Sequence, residues 1–193
     1  MRLLSKLFLG SFCLLSLPLL QGCLAAAAGG AATGASIATD RRTTGTIVDD
    51  QSIELKATYN LSQHKDLWKA SHINVISYNN VLLLVGQTPS EHYKQEAEEA
   101  VSNIPKIRQV HNELTIAEPA SLGTRSNDSW ITTQIKTKLN GHKDMNAGRM
   151  KVITEEGVVY LMGITTPEEE MIATNIARET SGVERVVQIF EPQ

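Results

Sequence analysis

Cysteine is nearly absent from this chain. Among 193 residues only Cys13 and Cys23 occur, too few for a disulfide framework or a zinc cluster. Aromatic residues are scarce at 5%, so each Trp and Tyr calls for an account of its own. A surplus of positive charge is missing too. The 18 Lys and Arg are outnumbered by 21 Asp and Glu, for a net charge of −3, which argues against a nucleic-acid binder that relies on bulk cationic charge. The histidines, at positions 64, 72, 92, 111 and 142, contain no His-x-x-x-His pair and have no thiol beside them. No phosphate loop and no nucleophile elbow can be read. These gaps predict a protein that is not an enzyme and takes neither metal nor cofactor. What is present is material for a core. Hydrophobic residues are 41% and charged residues 20%, a balance compatible with packed domains and not with wholesale disorder.

The first 22 residues read as an export signal. Arg2 and Lys6 precede an apolar run from Leu7 to Leu20, too short to cross a bilayer as a mature helix. The run ends in Leu20-Gln21-Gly22-Cys23, which resembles the bacterial lipobox, where cleavage leaves a diacylglyceryl cysteine at the new N-terminus. Cys23 is thus the expected lipid attachment site; ordinary cleavage leaving a free thiol is the alternative. Leu24 is not the aspartate associated with inner-membrane retention, so the lipobox resemblance implies the periplasmic face of the outer membrane. Removal of the signal leaves 16 basic against 21 acidic residues.

Residues 23–48 then form the lipidated cysteine and an Ala/Gly-rich stretch without charge until Asp40. A flexible tether is expected; an alanine-rich helix on the membrane is the alternative, disfavoured by three glycines within 29–34.

The remainder repeats. Asn74-Val75-Ile76-Ser77-Tyr78-Asn79-Asn80-Val81-Leu82-Leu83-Leu84-Val85-Gly86 matches Lys151-Val152-Ile153-Thr154-Glu155-Glu156-Gly157-Val158-Val159-Tyr160-Leu161-Met162-Gly163 at an offset of 77. Each copy opens with an Asp followed by apolar residues four apart: Asp50 with Ile53, Ala57 and Leu61, and Asp128 with Ile131, Ile135 and Leu139. Each continues through an acidic helical segment to a final strand-like run. The unit is therefore helix, strand, strand, helix, strand, with a hairpin turn at Asn79-Asn80 and at Glu156-Gly157. The last strand follows a helical crossover, which favours parallel pairing and a mixed sheet. The predicted class is α+β: two tandem α-β-β-α-β domains at 49–116 and 127–193, each a three-stranded mixed sheet under two helices, with a linker at 117–126. Asp128 is the expected N-cap of the second domain's first helix.

The doubled Val-rich hairpin ending in Gly, and the later Gly182-Val183-Glu184-Arg185-Val186, resemble the BON domain. The lipobox, the Ala/Gly tether and above all Asn127-Asp128-Ser129-Trp130-Ile131-Thr132-Thr133 resemble the dual BON-domain outer-membrane lipoproteins associated with division and outer-membrane stress. That resemblance implies several things: binding of anionic phospholipid through the first helix of the second domain, support of outer-membrane integrity, accumulation at division sites, and a link to the outer-membrane protein assembly complex. A competing reading is a periplasmic adaptor that docks onto that complex.

The residues allow the same site to be read without the family. On a helical wheel Trp130 projects about 140° from the centre of the Ile131/Ile135/Leu139 stripe. It lies there with Thr133, Gln134 and Thr137, and the equivalent position in the first unit is Ser52. An exposed indole flanked by hydroxyls suits the headgroup level of a bilayer. Residues 127–151 carry Lys136, Lys138, Lys143, Arg149 and Lys151 against Asp128 and Asp144, a local net of +3, which an anionic surface would attract. The candidate phospholipid-binding residues are Trp130, Thr133, Gln134, Lys136, Thr137 and Lys138. The alternatives are an indole packed against the first domain or the linker, and lysines that merely solvate a helix.

Overall fold

The structure, a computed structural model, describes residues 40–193. The expected signal peptide, Cys23 and residues 24–39 of the expected tether lie outside the described residues.

The first domain runs α1 (Thr44–Gln63), α2 (Lys65–Ala70), β1 (His72–Tyr78), β2 (Val81–Thr88), α3 (Glu91–Ser102) and β3 (Gln109–Ile116). The second runs α4 (Leu122–Gly141), a 3-10 turn (Ala147–Arg149), β4 (Met150–Glu155), β5 (Val158–Thr165), α5 (Pro167–Arg178) and β6 (Arg185–Pro192). Each sheet has three strands, with β2 and β5 central. β1 pairs antiparallel with β2 and β3 parallel to it; β4, β5 and β6 repeat the pattern. The α+β class and the mixed sheets are as expected. So are the tight hairpins. Asn79 and Asn80 have φ of 51° and 64°, Glu156 and Gly157 φ of 47° and 74°, the doubly left-handed backbone of a type I′ turn.

Two expected boundaries differ. α1 begins at Thr44, inside the expected tether, where the Thr43 hydroxyl accepts from the Thr46 amide at 3.0 Å. α4 begins at Leu122, inside the expected linker, with Ser121 as its N-cap accepting from the Thr124 amide at 3.1 Å. Asp128 is therefore not a cap. It sits mid-helix, 4% exposed, and its carboxylate accepts from the turn amides of Glu156 at 2.9 Å and Gly157 at 3.0 Å. Asp50 does the same in the first domain, accepting from the Asn79 and Asn80 amides and from the Ser77 hydroxyl. Each Asp pins its helix to the hairpin turn. A helical Asp and an N-cap Asp look alike in sequence, because both precede the apolar stripe.

Three apolar clusters hold the body together. Ile53, Ala57 and Leu61 of α1 pack with Leu82, Leu84, Ala97, Val101 and Leu114. Ile131, Ile135 and Leu139 of α4 pack with Val152, Val159, Leu161, Ala173 and Ala177. The third joins the domains. Tyr78, Val81, Leu83 and Val85 meet Tyr160, Met162 and Ile189, so the two sheets pack with their helix-free faces together. This explains why all eight residues of β2 are buried: alternate side chains face α1 and α3 on one side and the other sheet on the other. Gly86 marks a close approach at the end of the hairpin. Its φ is +123°, and a Cβ there would lie 2.0 Å from the His72 carbonyl oxygen.

Polar ties reinforce the junction. Tyr78 donates its hydroxyl to the Arg149 carbonyl at 2.7 Å, and Asn74 donates to Glu155 at 2.9 Å. Residues 40–43 form a strap across both domains. Arg41 donates to the Ile164 carbonyl at 2.8 Å and pairs with Glu169, while Arg42 bonds Asp50 at 2.8 Å and lies 4.0 Å over the Tyr78 ring.

Candidate functional site

The site is built on the outer face of α4. Burial of Ile131, Ile135 and Leu139 fixes the rotation of the helix, and the bond between Asp128 and the hairpin turn fixes its position along the sheet. Trp130 then points into solvent, 62% exposed, so the packed alternative for the indole does not occur among the described residues. Thr133 and Thr137 continue its stripe at helical spacing and are exposed. Their hydroxyl protons are already committed, to the Ser129 and Thr133 carbonyls at 2.8 Å each. What they present outward is therefore methyl groups and oxygen lone pairs. Gln134 is half-buried beside them.

The two lysines do not stand together. Lys138 is roughly 80° around the helix from Trp130, and its ammonium reaches Thr180 Oγ1 at 2.9 Å, beyond the end of α5. Lys136 is roughly 120° away on the opposite flank, toward β4 and Lys151. Desolvation lowers its pKa, and the like charge of Lys151 lowers it further. Both effects oppose its positive charge.

Tertiary structure also consumes much of the local charge. Lys151 pairs with Glu54 of the first domain, Arg149 with Glu169 at 3.1 Å, and Lys143 lies 3.9 Å from Asp144. Among the described residues no carboxylate pairs with Lys136 or Lys138. The local net charge of +3 in the sequence thus overstates the free charge, because two of the neutralising carboxylates come from outside the counted segment.

Away from the α4 stripe, burial and pairing shift Glu169 and two tyrosines. Burial alone would raise the Glu169 pKa; the Arg41 guanidinium, the Thr166 amide and Arg149 outweigh it and hold the group below its usual value. Burial pushes the Tyr78 and Tyr160 phenols up to about 12. These groups brace the domain junction and do not touch the α4 stripe.

One exposed feature has no counterpart in the expected site. Leu122, in the first turn of α4, is 78% exposed; its position in the expected linker hid it from a helical-wheel reading. Among the described residues no three His, Cys, Asp or Glu side chains converge on a metal position, and no helix is long and apolar enough to cross a membrane.

The model of the BON domain family matches residues 49–118 and 127–190. The chain is 38% identical over 172 residues to the outer membrane lipoprotein DolP of Haemophilus influenzae, covering 89% of each chain. It is 37% identical over 151 residues to the 21 kDa hemolysin of Actinobacillus pleuropneumoniae, covering 78% of each. It is 28% identical over 145 residues to the osmotically-inducible protein Y of Escherichia coli, covering 74% of this chain and 72% of that one.

Proposed function

The chain belongs to the BON domain family, and we propose on that footing that it is a lipid-anchored protein of the outer membrane whose second domain engages anionic phospholipid through α4. One observation carries the reading: Trp130 is 62% exposed on a helix whose core is complete without it. An indole exposed at this cost in hydration is suited to the boundary between headgroups and acyl chains. Lys136 and Lys138 flank the stripe and would meet phosphate oxygens, each contributing about 1 kcal/mol near an anionic surface. Cys23 is the proposed acyl attachment site, which makes the α4 contact a second, weaker engagement after anchoring.

The relative DolP is named an outer membrane lipoprotein, which supports an envelope location and a part in envelope integrity for this chain. A connection with cell division belongs to the same proposal. The activity is binding, with no chemical step assigned to any residue.

The deciding experiment combines thermal melting and vesicle co-sedimentation on Trp130→Glu. The variant is expected to melt as the parent does and to lose binding to anionic vesicles, with neutral vesicles binding neither protein. A folded variant that still binds anionic vesicles would move the site elsewhere.

A further inference from the structure

A second surface lies on the first domain. α1 buries Ile53, Ala57 and Leu61, yet leaves Leu55 74% and Tyr59 64% exposed. Beside them runs a groove of about 630 Å³ between α1 and β1, whose walls include Gln51, Leu55, Thr58, Tyr59 and Val75.

α1 lines most of this groove, and Val75 of the outer strand β1 closes it. The hairpin register settles which main-chain groups face outward. Tyr78 pairs with Val81 across the two-residue turn, the position of a mutually hydrogen-bonded pair. Tyr78, Ile76, Asn74 and His72 therefore bond to β2, and the alternate residues Ile73, Val75 and Ser77 turn away from it. The Ser77 amide does turn away, donating to Glu54 Oε1 at 2.8 Å. The outward amides and carbonyls of Ile73 and Val75 have no bonded partner among the described residues. An edge of this kind is a template for another strand.

The chemistry of the walls narrows the occupant. Glu54 is neutralised by Lys151, and Gln51, Thr58 and Ser62 are uncharged, so neither a cationic nor an anionic segment is favoured. Extended backbone matches the free groups of Ile73 and Val75, and apolar side chains at alternate positions match Leu55 and Tyr59. The corresponding groove of the second domain differs. There Thr132 bonds the Thr154 hydroxyl at 2.8 Å, and His72 and Asn74 of the first domain join its lining.

We propose that the groove between α1 and the free edge of β1 takes an extended, uncharged peptide segment of another protein, which adds to β1 as a fourth strand. The proposal is independent of the lipid reading and uses a different face.

The test uses the full mature chain carrying Cys23→Ser, with a short end-capped fluorescent peptide of alternating Thr and Val as probe. Fluorescence anisotropy is expected to show binding that weakens at least about tenfold when alternate peptide amides are N-methylated, which removes strand donors and keeps the side chains. Leu55→Glu and Tyr59→Lys, both at exposed positions, are expected to weaken it similarly while anionic vesicle capture persists. Absence of binding, or equal binding of the N-methylated peptide, overturns the proposal. So does a dimer that Leu55→Glu dissociates, which would make a second copy the occupant, or vesicle capture that Leu55→Glu abolishes, which would make the face a lipid contact.

Discussion

The Gln87 side chain donates to Glu155 Oε1 at 3.0 Å, linking the end of β2 in one domain to the end of β4 in the other. Gln87 is fully buried, and its amide makes two further bonds, to Glu156 at 3.1 Å and from the Ala120 amide at 3.0 Å. One residue thus ties both hairpins and the entry to α4. Gln87→Leu keeps the volume and removes all three bonds. It leaves a buried carboxylate and a buried amide short of partners, at an expected cost of about 1–3 kcal/mol. Chemical denaturation of the two-domain chain checks it. An unchanged midpoint would mean that Glu155 finds its partners without Gln87.

Asp128→Ala is expected to destabilise the second domain by about 2 kcal/mol or more, because the Glu156 and Gly157 amides lose their acceptor. Asn at the same position retains one acceptor oxygen and is expected to cost less. Asp50→Ala is expected to cost more, since the Ser77 hydroxyl also loses its acceptor and Arg42 loses one of its two carboxylate partners. Melting of the three variants ranks them.

Acid and alkaline limbs of stability have separate origins. Glu169 is depressed below its usual pKa, so its contribution is present above the unfolded-state value and is lost as pH falls through the folded one. Arg41→Ala is expected to flatten that acid limb. Tyr78 and Tyr160 are raised to about 12. Their contribution is intact below the ordinary tyrosine value of about 10 and is lost as pH rises toward the folded values. Tyr78→Phe is expected to shrink the alkaline limb, read from unfolding midpoints across pH.

Residues 120–193 expressed alone are expected to be far less stable than in the tandem chain, or to self-associate. Separation uncovers Tyr160, Met162 and Ile189, and each large apolar side chain returned to water costs about 1.5–3 kcal/mol. Circular-dichroism melting and sedimentation distinguish the outcomes. An independent, fully stable monomer would show that the third cluster adds little.

Local pattern determined much of this protein. The two turns were legible because Asn-Asn and Glu-Gly between Val-rich runs favour positive φ, and the turn length fixes the register. The repeat and the crossover helix carried the mixed sheets with them. The Ile131/Ile135/Leu139 stripe placed Trp130 on the outside, because a helix can bury only one face.

Tertiary structure decided what those patterns cannot encode. Asp128 reads as a helix cap, and only the hairpin folded against α4 gives its carboxylate two turn amides to bind. Lys151 reads as free charge until Glu54, 97 residues away in sequence, arrives beside it. The continuous apolar runs of β2 and β5 imply that both sheet faces are covered, yet the partner for the second face is the other copy of the repeat. Which of two lysines six and eight residues beyond Trp130 faces β4, and which the end of α5, follows from the rotation that core packing imposes on α4. Contacts between distant segments depend on the three-dimensional path of the chain, and that path is set by the summed burial of three clusters rather than by any one local signal.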